Sequence, residues 1–186
     1  MKTNRLSLIF ALIVLSCGLA VTSSSQAASS VPSNESEVRA VVERVFQRLK
    51  DKNYEELYEA LPTGSRSRMS RERFVSALRR TQEAYALDRM EVGKVNVSGN
   101  IAVVDTVLYG RLLKPFDTEG KIVVQQYLVR EEGKWKVATG DNATIKRFLS
   151  TNPAFARQFR IRQPRVFMKK EGTWVEFTPT KRQRQG

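Results

Sequence analysis

The 186-residue chain contains no histidine. This removes the side chain that most often serves as a general base, as the middle member of a nucleophilic triad, or as a ligand of catalytic zinc. Its single cysteine, Cys17, lies within the first 27 residues, so the remainder holds neither a thiol nor a disulfide. No glycine-rich phosphate loop occurs, and nucleotide chemistry loses its usual cradle. These absences predict neither cofactor nor metal. Acidic residues are also short, 19 against 32 basic, for a net charge of +13. What is present, 41% hydrophobic and 27% charged residues, is the composition of a globular chain, long enough for one domain with a sizeable core.

The first apolar run, Leu6 to Leu15, is too short to span a bilayer. Lys2 and Arg5 precede it, and small polar residues follow as far as Ser25-Gln26-Ala27. That pattern predicts a signal peptide over residues 1–27 and an exported protein, periplasmic or secreted. Val14-Leu15-Ser16-Cys17 also resembles a bacterial lipobox, which would anchor the chain through a lipid on Cys17. The alternative, preferred here, makes Cys17 an apolar member of the signal core. Without residues 1–27 the chain keeps a net charge of +11, of which residues 141–186 supply +8.

A small polar linker, 28–35, leads to Asn34 and Glu37, which have capping-box spacing. Val38, Val41, Val42, Val45, Phe46 and Leu49 then form one helical stripe. Asn53 and Glu56 predict a second helix from Tyr54 to Leu61. After a loop at Gly64–Met69, Ser70 caps a third helix over Arg71–Ala86. From Met90 to Thr139 β-branched and aromatic runs alternate with Gly and Asn, which predicts a four-strand antiparallel meander. Helices then cover one face of the sheet. Beyond it, 141–178 reads as a helix, a further helical turn or two, and a hairpin around Glu171-Gly172, ahead of a basic tail at 179–186. Trp174 and Phe177 are expected to dock this hairpin, because a lone hairpin is marginal.

The helix followed by Lys52-Asn53-Tyr54-Glu55-Glu56-Leu57-Tyr58, the turn Gly99-Asn100-Ile101-Ala102-Val103, and Gly133-Lys134-Trp135-Lys136-Val137 resemble the nuclear transport factor 2-like (cystatin-like, ketosteroid isomerase-like) superfamily over residues 36–140. The resemblance implies an α+β cone-like roll, helices packed on a curved antiparallel sheet. It implies no single activity, since enzymes, transport factors and accessory domains share the fold. Isomerases of this group carry a tyrosine on the first helix. Here that face is Val, Phe and Leu, so no catalytic residue is carried over.

Carboxylates and tyrosines remain as chemistry. Asp105 shares strand parity with Ile101, Val103, Val107 and Tyr109, and so either enters the cone as a base or faces solvent. Phe46, Tyr54, Leu78, Tyr85, Tyr127 and Trp135 are the expected lining of an apolar pocket. Arg162, Arg165, Lys169, Lys170, Lys181 and Arg182 form an expected anion-binding set, suited to anionic membrane or envelope polymer. No aromatic residue interleaves with the tail charges, which argues against nucleic acid. The preferred reading is an exported, non-enzymatic domain that binds a small apolar ligand or a protein partner, with pairing into a homodimer also open. The alternative is a cofactor-free isomerase, dehydratase or hydrolase using Asp105 with Tyr54, Tyr85 or Tyr127.

Overall fold

The computed structural model describes residues 33–177. The signal peptide, Cys17, most of the linker, and the tail with Lys181 and Arg182 lie outside the described residues.

Helix α1 (Asn34–Lys50) begins one residue earlier than the Asn34/Glu37 spacing predicts. Ser33 is the cap, accepting from the Ser36 N–H at 3.2 Å, which frees Glu37 to bind Arg130 at 2.6 Å. Glu35 and Glu37 in the first turn and Arg48 and Lys50 in the last oppose the helix dipole. Helix α2 (Tyr54–Glu59) follows without a side-chain cap, because the Asn53 amide is bound to Glu56 at 2.7 Å. The stretch expected as a loop is instead a short helix, α3 (Thr63–Arg68). Pro62 fixes an extended entry, and its carbonyl accepts from the Ser65 and Arg66 N–H groups. Helix α4 (Arg71–Ala84) is capped by Ser70 as expected and gives way at once to strand β1 (Tyr85–Ser98).

Strands β2 (Ile101–Leu112), β3 (Thr118–Glu131) and β4 (Lys134–Val137) complete the antiparallel meander. Gly120 stands within β3, where a side chain would strike Leu112. Helices α5 (Asn142–Ser150) and α6 (Pro153–Gln158) then lead to the hairpin of β5 (Arg165–Lys170) and β6 (Thr173–Phe177). This hairpin extends the same sheet, in the order β1-β2-β3-β5-β6. Both β4 and β5 pair with one edge of β3, at Leu128–Glu131 and Gly120–Val123 respectively. Trp174 meets Tyr109 edge-on and Phe177 meets Phe116. Glu132-Gly133 and Glu171-Gly172 both have positive φ at their two residues, as tight hairpin turns require.

Register shifts between Leu87 and Arg89 and between Val92 and Val95 bend β1, and the sheet curves without closing. Helices cover both of its faces, not one. On the inner face Val38 and Val42 of α1 meet Ala102, Val104, Leu128 and Trp135. Alternation along the strands sends Ile101, Val103, Tyr127 and Val129 the other way, onto Ile145, Leu149 and Phe155 of α5 and α6. A third cluster, Tyr54, Leu57 and Val75, joins α2 to α4. Among the described residues no helix is long and apolar enough to cross a membrane.

Candidate functional site

Of the six residues expected to line one pocket, four fall in three different packed clusters. Tyr54 and Leu78 belong to the α2–α4 cluster. Tyr85 lies beside it; burial pushes its phenol up, and the Tyr54 phenol adds to the effect. Phe46 is half-buried on α1. Trp135 closes the sheet against α1. Tyr127 is on the opposite face, under α5 and α6, with its hydroxyl donating to the Arg160 carbonyl at 2.8 Å. Burial raises its pKa; of the nearby charges, Arg162 lowers it and Asp105 raises it. On the inner face, the space between Tyr85, Leu87, Leu108, Leu112, Ile122 and Val166 amounts to about 10 Å³. A single water needs roughly that much. Among the described residues this part of the interior is filled by side chains.

Asp105 is exposed on the outer face and accepts from the Gln125 amide at 3.0 Å. Of the two orientations its strand allows, the solvent one is realised, since Ala102, Val104 and Thr106 fill the inner face. An open groove of about 600 Å³ crosses this region, lined among others by Asp105, Val107, Val123, Gln125, Arg162 and Arg165.

The basic set is partly neutralised. Arg165 makes a two-pronged pair with Glu176 at 2.9 and 2.7 Å, which raises the guanidinium pKa and lowers that of the carboxyl. Lys169 is held by Glu119 at 3.1 Å. Arg162 and Lys170 are exposed, and Lys170 lies on the other face of β5 from Arg165 and Lys169. Among the described residues the set is therefore not one continuous cationic face. The arginines near α3 are tied down as well: Arg66 and Arg71 bind Glu59, and Arg68 binds Asp141. Burial alone would raise the Asp141 carboxyl. Hydrogen bonds from Ser65, Thr144 and Arg68 outweigh it and hold the pKa at about 2.

A second groove, of about 610 Å³, runs between α1 and β4. Its α1 wall is a stripe beside the core stripe: Glu37, Ala40, Val41, Arg44, Val45 and Arg48. Ala60, Lys134, Trp135 and Lys136 form much of the opposite side. Sequence reasoning missed this site. The signal was available in the same helix, where small and basic residues recur at helical spacing one step round from the valines.

The fold and these surfaces define an α+β roll with a packed interior and its open space outside. No protein-family model matches the chain, and no curated protein does. Solved structures do. A SEC-C motif containing protein from Rhodopseudomonas palustris is 13% identical, with 53% of this chain and 72% of that one covered at a TM-score of 0.46. A protein from Campylobacter jejuni, provisionally described as a nuclear transport factor 2-like transpeptidase, is 9% identical, with 56% and 97% covered at 0.40. A nuclear transport factor 2-like protein from Cytophaga hutchinsonii is 15% identical, with 56% and 93% covered at 0.39. Two of the three thus carry the description of the superfamily that the sequence resembles, and at these values the likeness concerns fold alone.

Proposed function

We propose that this chain is a non-enzymatic interaction domain that receives a protein partner on its surface. The observation that supports this reading is the contrast between an inner-face space of about 10 Å³ and an open groove of about 610 Å³. Small-molecule sites are concave spaces of roughly 300 Å³ or more that enclose the ligand. A filled roll offers no such enclosure, whereas an exposed groove walled by a helix and a strand suits a polypeptide. Asp105, the carboxylate a proton-transfer mechanism would need, stands in solvent with an amide beside it. The cofactor-free isomerase reading therefore has no buried base to rest on.

The site of action is part of the proposal. The N-terminal pattern supports a site of action outside the cytoplasm, and the basic C-terminal quarter favours contact with acidic envelope components. Native mass spectrometry of protein purified from its own host tests the reading, together with photocrosslinkers at Ala40 and Gln163. The expected result is a polypeptide mass with no small molecule retained and a discrete crosslinked protein from one of the two grooves. A retained apolar compound without any crosslink would overturn it.

A further inference from the structure

The geometry points to the occupant of the α1–β4 groove: an acidic peptide segment of a partner that carries an apolar side chain at its middle. This rests on the interaction-domain reading above and specifies its site and chemistry.

The charges on the two walls are not equivalent. Glu37 and Glu59 line the groove, but both are already satisfied by cations. Glu37 is held by Arg130, which also stacks over Trp135 at 5.0 Å, and Glu59 is held between Arg66 and Arg71. Of the four groove cations, Arg48 pairs with Glu56 at 2.7 Å and Lys136 binds the Glu59 carbonyl at 2.8 Å. Arg44 and Lys134 have neither an ion pair nor a side-chain hydrogen bond among the described residues. One stands on the helix wall and the other on the strand wall, both away from the packed core. An anionic chain lying between them meets uncompensated positive charge on each side.

The floor supplies the apolar part. Ala40 and Ala60 are small enough to leave room, and Val41, Val45 and Trp135 present carbon surface between the cations. Trp135 is only 6% exposed, and its indole N–H has no hydrogen-bond acceptor, as is true of the neighbouring Arg130 Nε. From Glu37 to Arg48 the helix wall runs roughly 16 Å, at about 1.5 Å per residue. An extended peptide covers that length with about five residues. Backbone direction helps too. Val137 turns its N–H out to the Ala60 carbonyl at 2.8 Å, and Trp135, two residues earlier, shares that outward parity.

Trp174→Phe leaves Trp135 as the single tryptophan, and its fluorescence then reports on the groove. The probe is a synthetic peptide of about eight residues, rich in Glu and Asp with one central Leu, compared with a counterpart carrying Lys at every acidic position. The acidic peptide is expected to bind and the basic one not. Binding should fall at least about tenfold as salt rises from about 50 to about 300 mM, a range in which the screening length shortens through about 8 Å at about 0.15 M. Arg44→Glu with Lys134→Glu should lose at least about tenfold for the acidic peptide and gain binding of the basic one. Arg73→Glu, on α4, should leave both unchanged. Equal binding of the two peptides, or failure of the charge-reversed protein to switch preference, would overturn the assignment. So would phosphatidylglycerol vesicles displacing the acidic peptide from this groove. A crosslinked protein captured only from Gln163 would also sink this assignment while leaving the interaction-domain reading standing; a retained small molecule without crosslinks would sink both.

Discussion

Tyr127 donates its hydroxyl to the Arg160 carbonyl across 2.8 Å, fastening the outer face of β3 to the connection between α6 and β5. The ring is 2% exposed, and the bond, which reaches the exposed Arg160 segment, is partly buried. Tyr127→Phe leaves that carbonyl without its donor and should cost about 1–2 kcal/mol in urea unfolding. A midpoint equal to that of wild type would show the connection to be held by other contacts.

Trp135→Ala removes the ring that closes the sheet against α1. Truncation of a large buried aromatic side chain costs about 3–5 kcal/mol, and a loss of that size is expected here. An unchanged urea midpoint would mean that the Val38–Val42 layer holds without it.

Gly110 faces the Ala86 carbonyl so closely that a methyl group would collide with backbone, not with a movable side chain. Gly110→Ala should therefore destabilise by about 1–3 kcal/mol or more, as forced overpacking does. Thermal unfolding measures it, and a variant as stable as wild type would require β1 to shift away without penalty.

Asp141 couples stability to pH. Its pKa lies at about 2 in the folded chain, below the ordinary 3.8. A depressed carboxyl contributes fully above the unfolded value and loses that contribution as pH falls through the folded one. With solvent screening of the partly open site included, the stability gap between wild type and Asp141→Asn should be about 1–2 kcal/mol at neutral pH. It should shrink between about pH 4 and pH 2. A gap constant through that window would show that the carboxylate charge is not what Ser65, Thr144 and Arg68 hold.

Asp105→Asn should be silent in folding, within about 0.5 kcal/mol, because the side chain is exposed. It should be silent in partner binding at the α1–β4 groove too. Loss of a measurable turnover in this variant would restore the enzyme reading.

Strands and most helices were legible in the sequence because alternation and helical spacing are local: Ile101–Val104 and Val38–Leu49 announce themselves. Helix α3 was not legible, since Thr63–Arg68 has no apolar face and is held by distant partners such as Asp141, which Ser65 binds at 2.5 Å. Asp105 could not be oriented from strand parity alone, because both faces of β2 are apolar and helices pack on each. The pocket failed for a related reason. Tyr127 and Trp135 both look like lining residues, yet parity puts them on opposite sides of one sheet.

One edge of β3 is shared between two short partners, β4 near its end and β5 near its beginning. Amide exchange along this single strand should therefore have two clocks. Edge-facing amides between Gly120 and Val123 lose their cover when the β5–β6 hairpin lifts, an event that need not disturb Trp135. Those between Leu128 and Glu131 open only with β4, and β4 is fastened through Trp135 to α1. A strand that is continuous in space would then belong to two units that open independently, and the boundary would fall within β3 itself, between Val124 and Tyr127.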